Sequence, residues 1–244
     1  MIIKYSEIFE KVKDKVVYEM EYHVLVEGEK GLIRYPKPLV SREDKIKKLI
    51  KSGYPTIVAK TITEPIKQGE NYEKLRRLID HWESQAQEKG IRESIRDLKI
   101  GIQGQAGTGK TTLIGEFIMH VWDYDPMVEF FYITPFDFDI DLKIEFIKEN
   151  YRTIDLFIID NFDAVKDGRE REYLNLDFDT IRTLNKLMFK AFDDRKGLVF
   201  ISNDDLAKSL LLLGGEPLID RINLQILFKG QKSYRTGREY RNAI

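Results

Sequence analysis

Residues 104–111 read Gly104-Gln105-Ala106-Gly107-Thr108-Gly109-Lys110-Thr111, which satisfies G-x-x-x-x-G-K-[ST] at every fixed position. The run follows an apolar stretch at 98–103 and precedes a helical pattern that starts near 110. Strand, glycine loop and helix in that order are the setting the motif requires, and they commit this part of the chain to an α/β architecture. Glycines let the backbone wrap closely around phosphate oxygens. Successive N–H groups then point inward as an anion nest at a helix N-terminus. Lys110 is placed to reach β- and γ-phosphates, and Thr111 to offer its hydroxyl to Mg2+. With Thr112 next in the helix, residues 104–112 form the expected nucleotide site, with ATP and Mg2+ as its ligands.

From residue 98 onward, short apolar runs alternate with helical patterns. The runs are 98–103, 128–134, 154–159, 198–202 and 224–228, and helical patterns occupy 110–121, 138–149, 177–193 and 204–213. This alternation predicts a mostly parallel sheet with helices on its faces. Upstream, 71–89 reads as a helix whose Tyr72, Leu75, Leu78, Ile79, Trp82 and Ala86 share one face, a core-facing stripe. Residues 16–35 read as a β-hairpin around Glu27-Gly28-Glu29-Lys30-Gly31. Ser41, with Asp44 three residues on, starts a basic helix that stops at Gly53, and Pro55 follows. A boundary is expected near 90–97, or near 52 if the 71–89 helix packs on the sheet; the division adopted is 1–52 and 53–244.

Composition removes several function classes. With no cysteine among 244 residues, disulfides, iron–sulfur clusters and thiolate zinc sites are excluded. His23, His81 and His120 lie far apart in sequence and have no metal-ligand spacing. A formal net charge of −1 gives no bulk attraction to nucleic acid, so any such binding needs a local patch. No apolar run reaches membrane-spanning length and no signal-peptide pattern opens the sequence, so the expectation is a soluble, cytoplasmic protein without membrane contact.

Two further polar positions close buried strands. The 154–159 run ends in Asp160, where a carboxylate can hold Mg2+ through water, at the strand end where ligands of open α/β sheets bind. The next residue is Asn161, where many ATPases of this kind place an acid to activate the attacking water. An amide orients a water but cannot take its proton. Asp163 is the nearest substitute. The 198–202 run leads to Asn203, whose amide would position water against the γ-phosphate if its strand lies between the other two.

The ordered set of P-loop, Asp160-Asn161, Ser202-Asn203 and Asp220-Arg221 resembles the DnaC/IstB family of AAA+ ATPases, the helicase loaders and transposition helpers. Ser52-Gly53-Tyr54-Pro55 is similar to the stretch preceding the ATPase domain there. Residues 213–222 (Leu-Gly-Gly-Glu-Pro-Leu-Ile-Asp-Arg-Ile) are similar to the segment carrying the family's arginine finger, and 228–235 to its closing strand. The likeness covers about residues 52–238. It implies an AAA+/ASCE P-loop NTPase, a three-layer sandwich with a small α+β region before it. It also implies that Arg221 acts in trans on ATP held by a neighbouring subunit, with self-association through the ATP site. Guanidinium chemistry suits that role, being permanently charged and matched to phosphoryl oxygens. About 16 residues follow Phe228, too few for the helical lid of many AAA+ proteins.

The partners implied are a replicative helicase, docked by residues 1–52, and single-stranded DNA. The tail carries Lys229, Lys232, Arg235, Arg238 and Arg241 with Tyr234 and Tyr240 interleaved, a composition that tracks phosphates and stacks on bases. The stretch 136–150, where the family binds single strands, departs from that pattern: Asp137, Asp139 and Asp141 face only Lys143 and Lys148. Two alternatives stay open, an IstB-like transposition helper and an ATP-gated scaffold with little hydrolysis.

Overall fold

The computed structural model describes residues 2–20, 23–134, 140–161, 178–203, 205–207, 210 and 219–228, with the backbone alone for 178–181. A first short helix, α1 (Tyr5–Glu10), leads into three strands, β1 (Val16–Glu19), β2 (His23–Gly28) and β3 (Gly31–Pro36). β2 and β3 form the expected hairpin, paired from His23↔Pro36 to Gly28↔Gly31. β1 adds a third, antiparallel strand with an irregularity between Val16 and Tyr18. The sequence reading merged this strand into the hairpin. It is four residues long and mostly exposed, so it has no buried alternation to announce it.

Helix α2 (Arg42–Lys51) begins where Ser41 accepts a hydrogen bond from the Asp44 backbone N–H at 3.0 Å, an N-cap that satisfies an otherwise orphaned donor. Two short helices that periodicity did not reveal follow Pro55 and Gly90: α3 (Thr56–Thr61) and α5 (Ile91–Asp97). Between them runs α4 (Glu70–Lys89), the longest. Its Leu75, Leu78, Trp82 and Ala86 are buried, while Tyr72 and Ile79 lie at the half-buried margin. Trp82 meets Phe117 edge-to-face at 6.0 Å, which seats α4 on α6 (Lys110–Val121).

The main sheet has five strands: β4 (Lys99–Gly104), β5 (Phe130–Ile133), β6 (Leu156–Asp160), β7 (Gly197–Ser202) and β8 (Leu224–Phe228). All pairings are parallel and the order is β5-β6-β7-β4-β8. Parallel neighbours need crossovers, and α6, α7 (Ile140–Asn150) and α8 (Phe178–Asp193) are the helices between successive strands. Strand residues split by alternation onto two cores. Phe130, Tyr132, Leu156, Ile158, Val199 and Ile201 join α4 and α6 on one face. Phe131, Ile133, Phe157, Ile159, Leu198 and Phe200 join α7 and α8 on the other. Burial on both faces is why these strands read as unbroken apolar runs. The result is an α/β P-loop NTPase fold in three layers. The helical stretch read at 204–213 falls largely outside the described residues. No helix among the described residues is long and apolar enough to cross a membrane.

Ion pairs tie α2 to α6 and the turn after it. Lys45 reaches Asp123 at 2.5 Å, and Lys48 reaches Glu129 at 3.2 Å. Arg42 pairs with Glu116 of α6 and donates through Nε to the Ile62 carbonyl at 3.0 Å. Glu116 is only 6% exposed, and burial pushes its carboxyl above the usual range although Arg42 pulls it back. Arg42→Ala strands that carboxylate, so a loss of about 3 kcal/mol at neutral pH is expected from removing one partner of a buried pair. An acid raised in the folded state loses stability as pH climbs from its ordinary value, about 4, toward its folded one, because the unfolded chain releases the proton first. The variant's deficit in melting temperature therefore shrinks below about pH 4, where Glu116 is protonated in both states. A deficit independent of pH would contradict this account.

Candidate nucleotide site

The turn from β4 into α6 is shaped by its glycines. Gly107 has φ 78° and Gly109, the N-cap of α6, has φ 95°, both in the region a side chain disfavours. Thr108 is fully buried and its hydroxyl donates to the Gln105 carbonyl at 2.9 Å. Asn71 of α4 braces the loop from outside, its amide donating to the Thr108 carbonyl at 3.2 Å. Lys110 folds back across the loop, with Nζ donating to the carbonyls of Gly104 (2.6 Å) and Gln105 (2.8 Å). Its third donor goes to Asn203 Oδ1 at 2.8 Å.

β7 lies between β4 and β6, so Asn203 stands between the lysine and the acidic strand end. Asp160 is 2% exposed and accepts the Thr111 hydroxyl at 2.8 Å and the Tyr132 hydroxyl at 2.6 Å, both on Oδ2. Asn161 adopts φ 59°, a left-handed conformation that Asn tolerates better than most residues. Its Oδ1 accepts the amide N–H of Asn203. This chain fixes every amide. Lysine only donates, so Asn203 turns its oxygen to Lys110 and its nitrogen to Asn161. Asn161 must then offer its oxygen to Asn203, which leaves its N–H groups for the cavity.

That cavity holds about 550 Å³, and its lining includes Ala106, Gly107, Gly109, Lys110, Thr111, Thr112, Asp160, Asn161 and Asn203. Ile57, Val58 and Ile66 add apolar side chains to the same lining, with Thr61, Gln68 and Asn71. The lining therefore combines donors with apolar side chains, the two kinds of group that a nucleotide's phosphates and base call for. Thr111 and Asp160 also offer hard oxygen donors at one point of the wall, which fits Mg2+ shared with substrate phosphates. Gln105 and Gly104 meet the lysine through their carbonyls, and Thr108 is buried beneath the loop.

Arg221 is elsewhere. It is exposed, and its guanidinium carbon lies 3.9 Å from the Phe192 ring centroid. Leu224 is level with Ile100 near the start of β4, whereas Lys110 follows the end of that strand. A six-residue strand is about 20 Å long, so Arg221 stands at the opposite end of the sheet from its own P-loop. Asp163, the basic tail from Lys229 onward, Asp137 and Asp139 lie outside the described residues.

Sequence reasoning did not single out Tyr132, Asn71 or the α3 wall. Tyr132 sits inside an apolar run where an aromatic reads as core, and only the pairing of β5 with β6 discloses its target. Tyr54 is 2% exposed and donates to the Thr111 carbonyl. Burial, aided by Asp160, pushes its phenol well above the usual value, so it remains a donor.

No family model matches this chain. No curated protein matches it either. Among solved structures it is similar to domain III of the replication initiation protein DnaA from Thermotoga maritima, at 18% identity and TM-score 0.44, over 69% of this chain and 66% of that one. A DnaA from Aquifex aeolicus bound to AMPPCP gives 18% identity and TM-score 0.44 over 70% and 50%. A structure of DnaI gives 14% identity and TM-score 0.36 over 55% and 71%. The chain thus spans half to two thirds of the length of these DnaA structures.

Proposed function

We propose that this chain is an AAA+ ATPase that binds ATP at residues 104–112 and works between subunits in DNA replication, as a helicase loader does. One observation carries the reading: Lys110, Asn203, Asn161, Thr111 and Asp160, drawn from three neighbouring strand ends, converge on one cavity. The loop N–H groups and Lys110 hold the phosphates. Thr111 and Asp160 hold Mg2+, which when bound neutralises charge on the β- and γ-phosphates. Asn203 keeps the lysine beside the γ-phosphate position. Asn161 presents N–H groups, so it binds an oxygen and takes no proton, and hydrolysis is slow.

The assignment to replication rests on the residues shared with the DnaC/IstB family, from Ser52-Gly53-Tyr54-Pro55 through Asp220-Arg221. Arg221, exposed and turned away from its own site, serves the ATP of a neighbour. Residues 1–52 form the helicase-docking part and 53–244 the ATPase, with single-stranded DNA as second ligand. The amide at position 161 favours a second reading, an ATP-gated scaffold without turnover.

The test is recovery of partners on the tagged chain in ATP, with Lys110→Ala beside it. A hexameric helicase is expected with the wild type and not with the variant. The same partners on both would argue against ATP gating, and a recombinase in the helicase's place would favour a transposition helper. ATP binding without turnover, with or without DNA, would leave the scaffold.

A further inference from the structure

We propose that Tyr132 and Tyr54 form a brace that sets the two metal-holding residues, Asp160 and Thr111, before Mg2+–ATP arrives, and that Tyr132 is a positioning residue for that complex. The proposal rests on the cavity being an ATP site. Tyr132 comes from β5, separated from the P-loop strand by two others in the sheet, yet its hydroxyl donates to Asp160 Oδ2 at 2.6 Å. The Thr111 hydroxyl donates to the same oxygen at 2.8 Å. Two donors on one oxygen fix the plane of the carboxylate and link both metal-holding groups through it.

The second tyrosine grips Thr111 from behind. The Tyr54 hydroxyl donates to the Thr111 carbonyl and lies close to Gly115, one helical turn on. Gly115 is what admits it: a Cβ there would stand 2.9 Å from the Tyr54 hydroxyl and 2.7 Å from Ile62 Cδ1. The two rings pack at 5.2 Å between centroids, tilted by 59°. The Tyr132 N–H also donates to the Ser52 carbonyl at 3.3 Å. Both tyrosines are 2% exposed, so neither hydroxyl has a bulk-water alternative. A carboxylate on a short side chain can rotate; one held by a phenol on a packed ring cannot. Partners behind a metal's ligands tune its affinity, by about 10–100-fold where they have been removed.

Tyr132→Phe keeps the ring and deletes the hydroxyl. In the full-length chain, binding of a fluorescent ATP analogue is titrated with Mg2+. The expected result is an approximately ten-fold higher Mg2+ requirement in the variant. Analogue affinity without Mg2+, which depends on Lys110 and the loop, stays as in the wild type, while the melting temperature falls somewhat because a buried carboxylate loses a donor. Tyr54→Phe shifts the Mg2+ requirement the same way by less, and stands in should Tyr132→Phe not fold. An unchanged Mg2+ requirement overturns the brace. So does an equal loss of binding with and without Mg2+, which marks a structural role. A wild type that binds no analogue at all removes the ATP reading itself, a distinct failure.

Discussion

Lys110→Ala is expected to lower affinity for ATP by at least about 100-fold, since two or three charge-assisted hydrogen bonds at roughly 1.5–3 kcal/mol each are lost together. The size follows from where the lysine already is. It is 5% exposed and its ammonium is held beside the carbonyls of Gly104 and Gln105 and the amide of Asn203. Little rotamer entropy remains to be lost on binding, so most of the interaction appears as affinity. The fold should survive, because Gly104, Gln105 and Asn203, which carry the acceptors left behind, are only half-buried. Calorimetric titration with ATP, alongside thermal melting, separates the two effects. Binding within a factor of three of wild type would mean that the phosphates lie elsewhere.

Asp160→Ala is the second large effect: Mg2+-dependent turnover should vanish while Mg2+-free binding of ATP remains. Asn161→Glu should do the opposite and raise turnover, since it places a proton acceptor where the amide chain now presents N–H groups. The gain has a physical cost. Position 161 has φ 59°, and a Glu there carries a left-handed strain of about 1–2 kcal/mol that Asn largely avoids. A faster but less stable variant is therefore expected, read by phosphate release and melting. Unchanged turnover in both variants would remove the assignment.

The parts of the fold visible in the sequence are those where a local pattern and a buried environment coincide. Residues 224–228 were read to the same bounds the structure gives, and the other four sheet strands within two residues or so. β5, β6 and β7 are buried on both faces, and apolar runs have no competing reading there. β1 was missed because it is short and exposed, and α3 and α5 because six and seven residues are too few to display a helical period. The site divides in the same way. The loop from Gly104 to Thr111 is contiguous, so its composition states its shape. The grip of Tyr132 on Asp160 spans 28 positions and that of Tyr54 on Thr111 spans 57. Tyr132 does not differ in sequence from an ordinary core aromatic, and the Ser52–Pro55 stretch marks Tyr54 without disclosing what it grips. Arg42 likewise reads as one of several basic residues on α2 until Glu116 is found beneath it.

Helix α6 is a rigid strut between the P-loop and α2. Its 12 residues make a strut of about 18 Å, walled in by buried contacts along most of its length. Lys110 is its first residue, Glu116 its midpoint, and Asp123 lies just beyond its end. Arg42 and Lys45 of α2 are bolted to the last two of these. A packed helix does not compress, so an axial shift imposed at the phosphate end arrives undiminished at the far end. The segment ahead of the main sheet is thereby coupled to the same rigid body that carries the P-loop lysine.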